Sequence, residues 1–267
     1  MEPEKISFLD KTGTELASKS TVFQAMTLLL EMLLLVAVMI PVLPAGEPEP
    51  ELADVLTTLL HVQNEIVNKH NELRRNVTPT ASNMLKMQWD NKAAANAQKW
   101  ANVCKFEHSE KWMRKTDSQC GENLYVANFF PLWENVVQAW YDEVKDFVPG
   151  VGPVSSTAIV GHFTQVVWYS SSKVGCGVAE CPDLGILYVC QYCPGGNHVN
   201  RLYRPYDQGI PCASCPNDCD KGLCTNSCSE EEDKFSNCQD LKRQWTCSHQ
   251  FVSDNCKSSC NCIGKIY

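Results

Sequence analysis

The chain has 267 residues, 44% of them hydrophobic, and a formal charge of −8 at neutral pH. That length suits one full domain with a smaller module beside it, and the hydrophobic share is enough for a packed core. The acidic balance excludes a nucleic-acid partner, which needs clustered Lys and Arg against phosphate, and gives no reason to dock on anionic lipid.

Residues 26–45 are almost wholly apolar, end at Pro41 and Pro44, and are followed by the small residues Ala45 and Gly46. This is the pattern of a secretory signal with its cleavage site. Glu31 interrupts the run, and no Lys or Arg immediately follows Met26. Met26 is read as the working start, with 1–25 as an upstream extension and 1–46 as the whole leader region. The rival reading is a membrane anchor, since about 20 apolar residues can span a bilayer. Glu31 and the two prolines make a poor span, so no stable membrane insertion is expected. The product is placed outside the cell or in a secretory granule. The sequon Asn76-Val77-Thr78 fits a secreted glycoprotein, although Pro79 directly after it lowers its use.

Beyond the leader, Leu52–Arg75 carries apolar residues at helical spacing: Leu52, Val55, Leu56, Leu59, Val62, Ile66 and Leu73. Asn91–Val103 is a second helix candidate and Leu132–Phe147 a third. Strands are expected at His162–Tyr169, Lys173–Ala179 and Ile186–Tyr192, which are rich in Val, Tyr, Phe and Trp. Helices followed by a run of strands imply an α+β domain around an antiparallel sheet. Pro205–Pro211 reads as a linker through its Gly and Pro content. The expected divisions are therefore a large domain at 47–211, a cysteine-dense hinge at 212–227 and a module at 228–267.

All 16 cysteines lie between Cys104 and Cys262, and ten of them fall from Cys212 onward. So short a tail buries too little apolar surface to offset its chain entropy. Disulfides, at roughly 2–4 kcal/mol each, make up the difference and persist only in oxidising compartments. Zinc is the rival reading of the CxxC spacings Cys190/Cys193 and Cys212/Cys215. His249 is the only histidine in the tail, and the leader points outward, which favours disulfides.

Within the third helix, Val136, Trp140, Glu143 and Phe147 recur at i, i+4, i+7 and i+11. Glu143 therefore falls on the apolar stripe, where an unpaired carboxylate is costly. His162, at the start of the first expected strand, is its expected partner. His108 and Glu122, from the cysteine-containing loop between the second and third helices, would complete a group of two His and two Glu. Imidazole and carboxylate together suit zinc. Spacing alone does not bring the four together.

Gly161-His-Phe-Thr-Gln-Val-Val-Trp168 resembles the first signature of the CAP superfamily, and Tyr188-Val-Cys-Gln-Tyr-Cys-Pro-Gly-Gly-Asn197 resembles its second. Cys120-Gly-Glu-Asn-Leu124 matches a further motif of that family. The tail ending Cys256-Lys-Ser-Ser-Cys260-Asn-Cys262 is similar to the ion-channel-regulatory module of cysteine-rich secretory proteins. Asn68-Lys-His-Asn-Glu-Leu-Arg-Arg75 and Cys212-Ala-Ser-Cys-Pro216 point to a mammalian member, of the type found in salivary, seminal and granulocyte secretions. The resemblance covers about residues 48–267 and implies an α-β-α sandwich with a cleft tetrad at His108, Glu122, Glu143 and His162. The two histidines are then the zinc ligands, with the glutamates beside them. Spacing fixes no disulfide connectivity. The resemblance implies Cys104–Cys181, Cys120–Cys193 and Cys176–Cys190 in the large domain, and Cys212–Cys219 and Cys215–Cys224 in the hinge. In the tail it implies Cys228–Cys262, Cys238–Cys256 and Cys247–Cys260. One departure is His198, after Pro194-Gly-Gly-Asn197, where the family pattern has another residue.

Three functions are expected in turn. The first is modulation of a cation channel by the tail, with Lys242, Trp245 and Phe251 as contacts on a surface that also carries Arg243, His249 and Lys257. The second is a binding protein of secretions, acting in reproduction or innate defence through the large domain. Its ligand would be a secreted or cell-surface glycoprotein or a sterol-like lipid, with Phe129, Phe130 and Trp133 near the cleft. Trp133 suits core packing better. The third, a zinc-dependent hydrolase, is disfavoured. The chain offers no HExxH helix, no GxSxG elbow and no spare cysteine. A non-enzymatic monomer is expected.

Overall fold

The computed structural model describes residues 49–228, 231, 233–235 and 237–267, together with 23–24, 26–29 and 32. The expected extension and signal thus lie almost wholly outside the described residues. Among those described, no helix is long and apolar enough to cross a membrane. Glu49–Tyr267 forms one compact unit, which holds both the main sheet and the cysteine-rich tail.

In chain order come α1 (Leu52–Val55), α2 (Leu60–Arg75), β1 (Gln88–Trp89), α3 (Asn91–Ala101), β2 (Gly121–Ala127) and α4 (Trp133–Tyr141). The short hairpin β3 (Phe147–Val148) and β4 (Gly152–Pro153) comes next, then α5 (Gly161–Val166), β5 (Lys173–Cys181) and β6 (Gly185–Cys193). The hinge holds β7 (Cys219–Asp220) and β8 (Leu223–Cys224), and the tail holds α6 (Cys238–Trp245), α7 (Gln250–Asn255) and α8 (Lys257–Asn261).

The main sheet runs β1-β5-β6-β2. β6 pairs antiparallel with β5 and β2, whereas β1 joins β5 in parallel, so the sheet is mixed rather than wholly antiparallel. Along β6, Ile186, Tyr188, Cys190 and Tyr192 share a core with α2, α4 and α5. The alternate residues Leu187 and Val189 meet Ala97, Trp100 and Ala101 of α3 on the other face. The period of two thus feeds two cores and makes an α-β-α sandwich. Asp90 starts α3 by accepting the Ala93 N–H at 2.7 Å. The helix lies so close to β5 that a Cβ on Gly177 would stand 2.4 Å from the Gln98 backbone.

Four expectations change. Leu52–Arg75 is two helices, because Leu56 leaves the helical region with ψ near 122°. The third helix ends at Tyr141, gives way to a 3-10 turn over Asp142–Asp146, and delivers Phe147 to β3. β2 occupies the segment read as a loop. The largest correction is at His162–Tyr169, which is not a strand: Gly161–Val166 is helical. Its β-branched and aromatic content suits a strand locally, but contacts remote in sequence satisfy its helical ends.

At the C-terminal end those contacts come from Arg74, which is 1% exposed. Its guanidinium donates to the carbonyls of Val166 (2.9 Å), Trp168 (2.8 Å), Tyr169 (3.2 Å) and Ser171 (3.0 Å). It also reaches the Leu85 carbonyl twice, at 3.0 and 2.7 Å. Burial pulls the group down to about 9, so it remains charged at neutral pH. One turn earlier, Asn71 pairs with both backbone groups of Met87 at 2.8–2.9 Å. Pro205–Pro211 is also less free than a linker, since Asp207 and Gly209 bond back to Ser82 and Thr80.

Arg74→Met is expected to destabilise the fold by at least about 3 kcal/mol, because several buried carbonyls lose their donor and each such loss costs roughly 1–3 kcal/mol. Arg74→Lys should recover only part, having three donors on a point charge. Urea unfolding of the three proteins under oxidising conditions measures this.

Candidate functional site

Glu122 sits near the start of β2 with a fully buried side chain. Its Oε1 accepts from the Ser109 N–H (2.8 Å), from His108 Nδ1 (3.1 Å) and from Arg114 (3.1 Å). Its Oε2 accepts from the Ser109 hydroxyl (2.7 Å) and from Gln191 (3.1 Å). Burial pushes this carboxyl up. The hydrogen bonds from His108, the two Ser109 groups and Gln191 outweigh that and hold it below the usual carboxylate range. Trp100 anchors the loop that brings His108, donating its indole N–H to the Glu107 carbonyl at 2.8 Å.

Glu143, in the 3-10 turn after α4, does find His162. Its Oε1 lies 2.6 Å from His162 Nδ1, and its Oε2 accepts the backbone N–H groups of His162 (2.9 Å) and Phe163 (3.0 Å). One carboxylate therefore holds an imidazole and also caps the first turn of α5. The His162 ring is stacked against Trp140 at 6.4 Å.

The start of β2 carries both pairs. Glu122 points to the α3 face, as does its sheet neighbour Gln191. Asn123 points the other way and donates to the His162 carbonyl at 3.1 Å. Asn123 also reaches the Tyr192 hydroxyl (3.4 Å), which lies 3.0 Å from His70 Nε2. His70 is fully buried and depressed to about 4 by that burial, so it is neutral. Its Nδ1–H goes to the Ile66 carbonyl at 2.8 Å.

His108 and His162 thus both turn Nδ1 to a carboxylate. That favours the Nδ1–H tautomer and leaves Nε2 as the ligand atom, the arrangement in which a carboxylate orients a metal-binding imidazole. His108 is 57% exposed at its side chain and His162 27%, so both remain within reach of solvent. The imidazole and carboxylate donors suit zinc, and they are arranged as two histidine–glutamate pairs. Among the described residues, the groups of three or more donors within 4.8 Å are Cys212/Cys215/Cys224 and Asp233/Cys238/Cys256. Their sulfurs are all in disulfides.

The structure joins the sixteen cysteines as Cys104–Cys181, Cys120–Cys193, Cys176–Cys190, Cys212–Cys219, Cys215–Cys224, Cys228–Cys262, Cys238–Cys256 and Cys247–Cys260. These are the pairs the resemblance implies. The two signature segments interlock: Asn197 accepts from Thr164 Oγ1 at 2.7 Å and donates to the Gly161 carbonyl, while Gly196 N–H bonds Gln165. His198 packs edge-on against Trp168 at 5.5 Å. Trp133 is core, 1% exposed, whereas Phe129 is 60% exposed. Asn76 is exposed at the end of α2.

In the tail, Lys242 donates to the Ser259 carbonyl. Trp245 stacks on His249 at 5.2 Å, and Phe251 stacks on Phe235 at 5.6 Å. Sequence reasoning missed Ser109, Arg114, Asn123 and Gln191 as supports of the site. Asn123 and Gln191 stood inside recognised motifs, but without β2 nothing assigned them a face.

The model of the cysteine-rich secretory protein family, CAP, matches residues 67–192, and the Crisp model matches 212–267. Cysteine-rich secretory protein 3 of Homo sapiens is 57% identical over 246 residues, covering 91% of this chain and 100% of that protein. The cysteine-rich venom protein helothermine of Heloderma horridum horridum is 48% identical over 225 residues, covering 83% and 92%. The crystal structure of NaASP2 with Zn2+ is 30% identical with a TM-score of 0.53, covering 62% of this chain and 96% of that one.

Glu143→Ala is expected to cost about 1–3 kcal/mol, since it strips the acceptor from two N–H groups at the start of α5. Glu143→Gln, which keeps one acceptor oxygen, should cost less. Chemical denaturation orders the three, and equal stability of all three would remove the capping role.

Proposed function

Because the chain belongs to the cysteine-rich secretory protein family, we propose that it is a secreted, non-catalytic binding protein whose module at 228–267 modulates a cation channel. The observation that carries this reading is a pair of exposed aromatic stacks on a disulfide-held scaffold. Trp245 is 44% exposed and Phe251 and Phe235 are each 43% exposed, around a small core of Cys238, Val252 and Cys256. Three disulfides hold these groups in place before any partner arrives, which lowers the ordering cost of docking. Lys242 is engaged by the module's own backbone, so Trp245 and Phe251 are the stronger contacts. Similarity to a venom protein and the tail's match to the Crisp model support the same reading.

A second reading gives the large domain its own ligand, a secreted or cell-surface glycoprotein or a sterol-like lipid, in reproduction or innate defence. The observation favouring it is the two oriented imidazoles. Zinc would be held by Nε2 of His108 and of His162, with Glu122 and Glu143 fixing the rings. When bound, the ion would supply positive charge and open coordination positions to an incoming group. The non-catalytic reading is supported by the commitment of the candidate nucleophiles: every cysteine is in a disulfide, and Ser109 is 3% exposed with its hydroxyl donating to Glu122.

Two experiments separate these readings. Calcium-permeable channels, recorded before and after addition of the mature protein, should be blocked by wild type and by neither Trp245→Ala nor Phe251→Ala. Unchanged block in both variants would remove the aromatic contact. In calorimetry, His108→Ala or His162→Ala should abolish zinc binding, and Glu143→Gln should weaken it by about 10–100-fold. Undiminished affinity in both histidine variants would place zinc elsewhere.

A further inference from the structure

A small pocket of about 50 Å³ lies where the edge of the main sheet meets the hinge. Lys86, Gln88, Ser172 and Lys173 line it from the sheet side, and Thr225 and Ser227 from the chain leaving the hinge. The segments are fixed against each other. Lys86 N–H bonds the Cys224 carbonyl at 2.8 Å, Gln88 N–H bonds the Ser172 carbonyl at 2.8 Å, and Gln88 is in register with Lys173.

The lining has a consistent chemistry. Two lysines, three hydroxyl residues and a glutamine are among its lining residues, and no acidic residue or histidine is; the Thr225 hydroxyl donates to the Asp218 carbonyl at 3.2 Å. In a chain of net charge −8 the lining carries two cations and no acid, with Lys86 also paired to Asp220 just outside it. Asp220 pairs with Lys86, and Lys221 and Arg75 also act on it, pulling it below its usual value after Lys86. Asp117 pairs with Lys92 at 2.6 Å. Ser172, 4% exposed, has a buried hydroxyl with no hydrogen-bond partner among the described residues. Such a group is costly to bury without a ligand.

We infer that this pocket binds a single tetrahedral oxyanion, a sulfate or phosphate group, between Lys86, Lys173 and Ser172 on the sheet side and Thr225 and Ser227 on the hinge side. Size argues for one group only. A water needs about 10–15 Å³ of such space, so the pocket takes roughly four or five heavy atoms, not a sugar ring. Ammonium and hydroxyl donors give an oxyanion charge-assisted hydrogen bonds, which are shorter and stronger than neutral ones. The bound group would tie the root of the C-terminal module to the sheet. The inference does not depend on the channel or zinc readings.

Titration of the full mature protein with sodium sulfate and with inorganic phosphate, against chloride at equal ionic strength, tests it by calorimetry and thermal shift. Saturable binding is expected, weakened at least tenfold in Lys173→Met and about threefold or more in Ser172→Ala. Lys173→Arg should retain it, as should Lys105→Ala, a change at an exposed lysine outside the pocket. A heparin oligosaccharide distinguishes the source. Competition with sulfate in the wild-type protein, together with direct heparin binding that weakens in Lys173→Met, assigns a sulfated glycan, and failure to compete assigns the free ion. A signal no greater than that of chloride, or undiminished in folded Lys173→Met, overturns the site.

Discussion

The buried guanidinium of Arg74 is the constraint on which the rest of the large domain depends. It is a charge taken out of water without a carboxylate partner among the described residues, stabilised by carbonyls from two stretches of chain remote from its own helix. An isolated buried charge is costly, so the arrangement holds only while every carbonyl stays in place. This couples α2, the approach to β1 and the exit of α5 into one cooperative unit. The exit of α5 leads directly into β5, so the register of the sheet depends on the same group.

At the other end of α5 the solution is electrostatically opposite. A carboxylate, Glu143, sits where the first N–H groups of the helix point, and an arginine takes the last carbonyls. A helix of six residues is too short to persist on propensity. It exists because two distant side chains satisfy both of its ends. His162 inherits its orientation from that arrangement: the group that starts its helix also holds its ring. The orientation of that imidazole is thus a by-product of folding the signature segment.

This explains what the sequence could and could not disclose. Glu143 stood out because a carboxylate on an apolar stripe needs a partner, and the partner is His162. The same periodicity reasoning misread Gly161–Val166, since Phe163, Val166 and Val167 are good strand residues and neither Arg74 nor Glu143 is local to them. β2 was hidden for a related reason: Cys120 and Gly121 look like loop, while its pairing with β6 lies about 70 residues away. The layered α+β architecture was legible because the longest helices precede the two longest strands, β5 and β6, in the chain. The supporting shell of Ser109, Arg114 and Gln191 was not legible, because hydrogen bonding to a buried carboxylate leaves no periodic trace.

The disulfide map has a consequence for how the molecule can be dismantled. Cys104–Cys181 and Cys120–Cys193 enclose the chain from 104 to 193, including the exposed valines at 148, 151 and 154. A protease cutting there would leave both fragments covalently joined. No bridge spans 194–211 or 225–227. A cut at either place would leave nothing covalent between the two sides, and only the second would leave the hinge with the large domain. Under proteolysis the chain therefore has two severable joints after the main sheet, through which the tail can be shed as a separate, still cross-linked peptide.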